Sequence, residues 1–343
     1  MWIGKYRCPA SNYGVDKMAT NTEFAVRPMQ VGAEIVGLDI TRSLTEAARA
    51  ALYAAWLEHG ILLFRNDRPP TTQQHFALSR CFGELERHPM PEIWAEGEPY
   101  LIELGGKNSN RGVAKVYDDD KLRLGVLPWH RDTAYTVDIC KGALLRMTEV
   151  PPEDGETLFA DSQKAYEAMP LELRRRVDSL EFKATLRIGP FTQSGPGAIW
   201  KKVRPATREE FPVDSEETGM NALSRYPSVI HPVVITHPES GRKCLFPSPT
   251  YVDEFIGLSK TDSDALLIEL CRHLFDPRHV YTHRWKAHDM MLWDNRRMLH
   301  AAAGYKPAYT RTGLRTTLAG AMKTGRYFNA QAKDFVPPPQ MLD

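Results

Sequence analysis

Residues 127–135 read LPWHRDTAY and place His130 and Asp132 two positions apart in a β-prone run. If residues 129–135 form a strand, its period of two puts both side chains on one face, directed into a barrel. The pair is then either half of a metal site or two polar residues of an ordinary strand. In a chain with 11 histidines, one His-x-Asp is about what chance supplies, so the rest of the sequence has to decide.

Short strand-like runs dominate the chain around this stretch. They lie at residues 61–64, 143–148, 157–160, 182–188, 233–236 and 243–246. Capped helices are predicted at residues 43–56, from residue 71 and at residues 261–275. Many strands with few helices and no regular βαβ alternation argue against a doubly wound sheet. We therefore predict an α+β fold with a double-stranded β-helix (jelly-roll) core, flanking helices and lid loops.

The domain organisation follows from where periodicity is found. Residues 23–330 are predicted to form one domain, with a flexible N-terminal extension at 1–22 and a C-terminal tail at 331–343. The first 17 residues precede a second methionine, Met18, and are either such an extension or the result of a misplaced start codon. Stretches at about 101–127 and 189–232 are rich in glycine, proline or charge, which predicts two lids.

The composition limits the kinds of partner. With 343 residues, 42% hydrophobic and 25% charged, the chain is typical of soluble globular proteins. Lysine plus arginine (44) balances aspartate plus glutamate (43), so no net charge favours nucleic acid or a membrane surface as a partner. The five cysteines form no C-x-x-C pair and are expected to be core thiols. Without a secretory or membrane-spanning stretch, a cytoplasmic location is predicted.

A second stretch, MLWDNRRMLHAAAGYKPAYTRTGLRTTLAG at 291–320, contains His300 with Arg311 and Arg315 eleven and fifteen residues later. Together with the His130 segment, it closely resembles the taurine/2,4-D dioxygenase family of Fe(II)- and 2-oxoglutarate-dependent oxygenases. That family shares an H-x-D pair, a distal histidine in a W-D-N-R-x-x-x-H run and two arginines at these offsets. PPEDGETLFAD (151–161) is similar to the family segment whose threonine contacts 2-oxoglutarate. Weaker resemblance runs from about residue 24 to 327 and includes FGELERHP.

The resemblance implies a cofactor site. His130, Asp132 and His300 would ligate Fe(II), and two histidines with one carboxylate leave positions open for other ligands. Arg311 and Thr157 would bind the distal carboxylate of 2-oxoglutarate, for which a planar guanidinium is well suited. O2 would be the second co-substrate.

The resemblance also implies substrate contacts. Arg315 would hold an anionic substrate group, and His88 in ERHP would touch the substrate. Val126 stands where taurine-specific members carry a contacting asparagine, and Pro91 stands where they carry a tyrosine, so a more apolar pocket and a substrate other than taurine are implied. Asp132 disfavours halogenation, because halogenases of this chemistry generally leave that ligand position open for chloride.

The predicted activity is hydroxylation, or cleavage by hydroxylation, of a small anionic organic substrate, with release of succinate and CO2. No nucleic acid or membrane partner is expected, and a homo-oligomer is possible. Two alternatives stay open. A zinc-dependent hydrolase could use the same three ligands with a bound hydroxide and would not need Arg311. A silent metal-dependent binding module would bind iron without turnover.

Several other motifs are interpreted as structural. His237 and Glu239 lie in a predicted hairpin turn, where polar residues are expected. His279 and His283 are four apart, but the surrounding RHVYTHRW is strand-like and offers no third metal ligand. The Trp-Asp-Asn run at 293–295 is either a strand-end turn or in contact with the chemistry.

Overall fold

The computed structural model describes residues 19–20, 23–87, 94–105, 115–117, 121–186, 203–205, 226–320 and 322–329. The strands β1 to β24 are, in chain order, Ala19–Thr20, Ala25–Pro28, Ala33–Val36, Ile61–Phe64, Trp94–Ala95, Glu98–Gly105, Lys115–Tyr117, Leu122–Arg123, Leu127–His130, Asp138–Ile139, Gly142–Glu149, Thr157–Asp161, Glu181–Ala184, Val203–Pro205, Val229–Pro232, Val234–Thr236, Lys243–Leu245, Val252–Phe255, Val280–His283, Met290–Asp294, Met298–Ala302, Thr312–Leu318, Met322–Lys323 and Arg326–Tyr327. The helices α1 to α5 are Glu46–His59, Thr72–Arg80, Ser162–Ala168, Leu171–Val177 and Lys260–Leu274.

Two sheets carry the architecture. The larger has nine strands in the order β1-β2-β3-β4-β20-β11-β22-β6-β5, and the smaller has four in the order β19-β12-β21-β9. Every neighbouring pair in these sheets is antiparallel except β3 and β4. The described chain is therefore rich in antiparallel sheet, as the sequence predicts.

The two sheets pack face to face over an apolar layer. Phe159 on β12 of the smaller sheet lies 5.8 Å, between ring centroids, from Trp293 on β20 of the larger sheet. Leu145, Met291 and Met298 are buried in the same cluster. Burial of such aromatic and aliphatic area is the main force that holds the layers together. The space between the sheets is where the side chains of the candidate site meet.

Helix α1 starts two residues later than the sequence predicts. Its N-cap is Thr45, whose hydroxyl accepts a hydrogen bond from the backbone N–H of Ala48, so Ser43 is not the cap. The helix ends at Gly60, which adopts a left-handed φ of 73° that glycine tolerates. Its apolar face buries Leu52 and Trp56 against the outer side of the larger sheet.

Two other predicted helices are confirmed with small shifts. Helix α2 has the predicted capping box, because Thr71 and Gln74 exchange side-chain and backbone hydrogen bonds. Helix α5 begins one residue early, with Ser259 as its N-cap, and buries the leucines predicted for its apolar face. The described helices include none that is both long and apolar enough to cross a membrane.

The predicted lids are wrong in part. Glu98–Gly105 is one continuous strand, and its buried Leu101 and Ile102 show why: these apolar residues pair with β22 and pack inward. Val229–Pro232, at the end of the second predicted lid, is also a strand. Short strands β7, β8 and β14 interrupt the predicted loops as well. Residues 106–114, 118–120, 189–202 and 206–225 of the predicted lids lie outside the described residues, as do the N-terminal extension before residue 19 and the C-terminal tail.

The predicted strand at 182–188 is also too long. The observed strand β13 covers Glu181–Ala184 and ends at a register shift in its pairing with β18. Residues 187 and 188 lie outside the described part of the chain. Apart from the strand considered at 129–135, the other predicted strands match observed ones to within one residue at each end.

Candidate active site

Two histidines face each other on neighbouring strands of the smaller sheet. His130 ends β9, His300 lies in the middle of β21, and the two residues are directly paired in the antiparallel register. Their rings are 4.2 Å apart between centroids, and both residues are buried. The backbone pairing thus brings together two residues that are far apart in the sequence.

Asp132 was expected to lie on a strand with His130, but it does not. Strand β9 ends at His130, and Asp132 lies in the turn that follows, next to Thr133, which has a positive φ of 56°. The amide side chain of Asn295 holds this turn: its Oδ1 accepts from the backbone N–H of Asp132 at 2.9 Å, and its Nδ2 donates to the Asp132 carbonyl at 2.9 Å. A long-range contact, rather than strand periodicity, therefore orients the carboxylate.

The three side chains form a compact group of potential metal ligands. Asp132 Oδ1 lies 3.7 Å from His130 Nε2, and Asp132 Oδ2 lies 3.7 Å from His300 Nε2. One ligand atom from each of the three residues lies within 4.8 Å of the others, the only such His/Cys/Asp/Glu group among the described residues. The predicted triad is thus brought together in space.

The electrostatics of this group leave its nitrogens and oxygens ready to coordinate. Burial lowers the pKa of both histidines, and for His300 the neighbouring His130 lowers it further, so the rings are neutral. Burial alone would raise the pKa of Asp132, but chiefly the charge of Arg315 holds it at about 2. Nδ1 of His130 is 2.8 Å from the Pro128 carbonyl, which assigns the proton to Nδ1 and leaves the Nε2 lone pair free.

Arg315 lies on the opposite side of this group, on β22 of the larger sheet. Its Nη2 is 3.2 Å from Asp132 Oδ2 and 3.3 Å from the hydroxyl of Thr317, and its guanidinium lies 5.8 Å from the centre of the Trp293 ring. The arginine predicted to meet a substrate anion thus borders the metal-ligand group and pairs with one of its members.

Arg311 and Thr157, the two residues predicted to bind 2-oxoglutarate, contact each other. Arg311 Nη2 donates to the Thr157 hydroxyl at 3.2 Å, and its Nε donates to the carbonyl of Gly155 at 3.0 Å. Trp285 donates its indole N–H to the same threonine oxygen at 2.9 Å. Burial lowers the pKa of Arg311 to about 10, a value at which the guanidinium is still charged near neutral pH. Among the described residues no carboxylate lies within ion-pair distance of Arg311, and the charge of Glu156 acts on it only electrostatically, so this half-buried guanidinium has no direct anionic partner there.

Of the two remaining residues predicted to contact the substrate, Val126 is described in the structure and His88 is not. Val126 is buried and packs over Gly304, which has a positive φ of 78°; a Cβ at that glycine would lie 2.2 Å from Val126 Cγ2. His88 and Pro91 lie outside the described residues. The predicted role of His88 is therefore not located in the structure.

The motifs interpreted as structural have partners in the protein. His237 Nε2 lies 2.9 Å from Asp294 Oδ2, which also pairs with Arg296 at 2.8 Å. His283 Nε2 lies 3.3 Å from Asp289 Oδ2. Asp294 thus ties the hairpin turn to the segment before His300, while Asn295 beside it contacts the turn of Asp132.

Three residues of this region were missed in the sequence, Trp285, Arg131 and Glu86, and Asn295 was named only within the 293–295 run, without a specific role. Arg131 is fully buried, and its guanidinium donates to the carbonyls of Asn295 and Leu245, so it anchors the backbone between His130 and Asp132. No local signal reveals these roles, because every partner is distant in sequence. The only available hint was that Arg131 and Asn295 lie inside the two motifs that carry the ligands.

Comparison with known proteins agrees with this geometry. The family model for taurine catabolism dioxygenases of the TauD, TfdA family matches residues 24–317. The chain belongs to this family. An (S)-phenoxypropionate/alpha-ketoglutarate-dioxygenase of Sphingobium herbicidovorans is 30% identical over 305 residues, which cover 87% of this chain and 95% of the relative. An alpha-ketoglutarate-dependent sulfate ester dioxygenase of Pseudomonas putida is 27% identical over 305 residues, with 88% and 92% covered.

The solved structures of TauD/TfdA proteins show the same likeness. The crystal structure of a taurine dioxygenase from Burkholderia xenovorans matches with a TM-score of 0.65 and 26% identity, over 87% of this chain and 90% of that one. The resemblance found in the sequence is therefore confirmed. This member of the TauD/TfdA family is an enzyme, an oxidoreductase dependent on 2-oxoglutarate (alpha-ketoglutarate), as its named relatives are.

Proposed function

We propose that this enzyme hydroxylates, or cleaves by hydroxylation, a C–H bond of a small anionic organic substrate. Fe(II) would be held by His130, Asp132 and His300, and 2-oxoglutarate by Arg311 and Thr157. One observation carries the proposal. A group of two neutral histidines and one carboxylate occurs together with a separate, half-buried arginine that has no carboxylate at ion-pair distance among the described residues. We also propose that the two packed sheets form the double-stranded β-helix of the fold.

The ligand group fits Fe(II) by its chemistry. Two imidazoles and one carboxylate are the donors that non-heme iron oxygenases use, and they leave coordination positions free. The two imidazoles are neutral and the carboxylate is ionised, which are the protonation states that metal binding needs. Asn295 and the Pro128 carbonyl orient Asp132 and His130 from outside the ligand group.

Arg311 and Thr157 have hydrogen-bond donors that are free to bind a carboxylate. A threonine hydroxyl accepts two hydrogen bonds and donates one. The Thr157 oxygen already receives the N–H groups of Trp285 and Arg311, so its own proton is left to donate. With that donor, the remaining N–H groups of Arg311 and its half-buried positive charge, the surroundings of Thr157 are arranged to receive an anion.

The chemistry divides between the cofactors and the chain. Fe(II), 2-oxoglutarate and O2 together supply the oxidising power that hydroxylates a C–H bond and releases succinate and CO2. The chain fixes the ligands, orients the distal carboxylate of 2-oxoglutarate through Arg311 and Thr157, and surrounds the site with buried aromatic residues such as Phe159 and Trp293 that exclude water.

We propose that Arg315 holds the anionic group of the substrate. Its guanidinium borders the ligand group and is the nearest cation for a substrate anion. The relatives named above act on a phenoxypropionate and on sulfate esters, which are small anions. Val126 would contribute apolar surface and His88 a further contact. The proposal includes no nucleic-acid or membrane partner. We also propose a cytoplasmic location, which the free thiols of Cys81, Cys140, Cys244 and Cys271 support. A homo-oligomeric state is proposed as well.

The test is succinate formation by the purified protein. Supplied with Fe(II), 2-oxoglutarate, O2 and a panel of aryloxyalkanoates, sulfate esters, sulfonates and amino acids, wild type should produce succinate with at least one class, and Asp132→Ala should not. Hydrolysis of a panel member without O2, unaffected by Arg311→Ala, would instead support the zinc hydrolase. Absence of succinate with every acid would contradict the proposal.

A further inference from the structure

Glu86 lies on the inner face of the larger sheet, beside Arg315. Leu85 forms an antiparallel bridge with Leu318. Two backbone hydrogen bonds of 2.8 Å flank this bridge: Glu86 N–H donates to the Thr317 carbonyl, and Ala319 N–H donates to the Glu84 carbonyl. In such a pairing Glu86 stands opposite Thr317, and opposed residues project from the same face.

That face is the one that carries the site. Arg315 is two positions before Thr317 on β22, and the side chains of these two residues are joined by a 3.3 Å hydrogen bond. Leu318 and Leu85 project from the other face, toward α1 and α2. Glu86 therefore points into the space that contains Arg315 and Asp132.

The Glu86 carboxylate lacks a hydrogen-bond donor within the described chain. The side chain is half-buried, and its electrostatic neighbours are Arg315 and Asp132. Burial raises the pKa of Glu86 to about 7; Arg315 opposes this shift, and the charge of Asp132 adds to it. The Glu86 carboxylate is thus a hydrogen-bond acceptor that lies beside the proposed substrate-binding arginine and has no donor of its own. A substrate that carries a hydrogen-bond donor would supply the missing partner.

Building on the proposed function, we propose that Glu86 determines specificity by accepting a hydrogen bond from a hydroxyl or amino group of the substrate, next to the anionic group held by Arg315. When Glu86 is ionised, the site selects anions that carry such a donor and disfavours anions without one, because Glu86 would be left as an uncompensated acceptor and like charge.

The experiment compares matched pairs of small carboxylates and sulfonates, in which one member carries a hydroxyl or amino group and its twin a methyl group. Dissociation constants are measured by anaerobic calorimetry on wild type with and without bound Fe(II) and 2-oxoglutarate. Wild type should bind at least one donor-bearing member about tenfold or more tightly than its twin. Glu86→Ala should abolish that preference and strengthen binding of the methyl twin.

Two further variants sharpen the result. Glu86→Gln keeps an acceptor without the charge, so it should retain a preference for hydroxyl and lose one for ammonium. Glu84→Ala removes an exposed charge from the same segment and should leave the preference unchanged. If wild type binds no donor-bearing member more tightly than its twin, or if Glu86→Ala keeps the preference, this proposal is overturned. Failure of 2-oxoglutarate to bind in the same titrations would overturn the proposed function instead.

Discussion

Asn295 clamps the backbone of Asp132 through both ends of its amide, accepting from the N–H and donating to the carbonyl at 2.9 Å each. Its Nδ2 also donates to the Cys140 carbonyl at 3.1 Å. This one side chain, 163 residues away in sequence, substitutes for strand pairing where β9 has already ended. The position of the carboxylate ligand therefore depends on a residue that does not itself coordinate.

Replacing Asn295 by alanine should weaken metal binding about tenfold to a hundredfold, as is typical for residues that orient a ligand from outside the coordination group. Asn295→Asp keeps the acceptor but loses the donor, so its loss should be smaller. Fe(II) affinity measured by competition with a chelator checks this. An Asn295→Ala protein that is folded and binds iron like wild type would show that the clamp does not position Asp132.

Trp285→Phe should raise the dissociation constant of 2-oxoglutarate about threefold to tenfold, the range expected for one hydrogen bond. Without the indole N–H, the Thr157 oxygen regains a free lone pair and its proton is no longer directed outward. Thr157→Val, which removes the donor itself, should cost at least as much. Both variants should bind iron like wild type in the absence of 2-oxoglutarate, and equal 2-oxoglutarate affinity in wild type and Trp285→Phe would refute this role.

The pH dependence of stability should include a contribution from His75. Burial, aided by Arg146, lowers the pKa of His75 from 6.5 to about 3, and its Nε2 contacts the Leu144 carbonyl and the Thr316 hydroxyl. As the pH falls below 6.5, the unfolded chain binds a proton that the folded chain does not bind until about pH 3, so stability is lost across this window.

The measurement is the free energy of unfolding of wild type and His75→Gln between pH 7 and pH 4. The variant should be less stable at pH 7, yet its stability should fall less steeply with acidification, by about 1.4 kcal/mol per pH unit. Parallel curves for the two proteins would mean that His75 is already protonated in the folded state.

The sequence predicts those parts of the site that depend on spacing within a motif. His130, His300 and Thr157 lie on paired strands of the smaller sheet, Arg311 directly precedes β22 and contacts Thr157, and the motifs in which the four occur were recognisable. The strand assigned to Asp132 was wrong, because the turn after His130 is stabilised by Asn295 and not by local periodicity.

The position of Glu86 beside Arg315 also could not be predicted from the sequence. It follows from a bridge between Leu85 and Leu318, two residues that are distant in the chain and carry no pattern that links them. The first predicted lid failed at residues 101–105 for a related reason. The polar residues after Gly105 suggested a loop, whereas the apolar residues before it are fixed by pairing with β22.

The most direct test of the account is an anaerobic visible spectrum recorded while Fe(II) and then 2-oxoglutarate are added to wild type and to Arg311→Ala. We expect a weak metal-to-ligand charge-transfer band that requires both additions in wild type and needs much more 2-oxoglutarate in the variant. If iron binds but no band forms at saturating 2-oxoglutarate, or if wild type and Arg311→Ala titrate alike, the proposed arrangement of iron and 2-oxoglutarate is wrong.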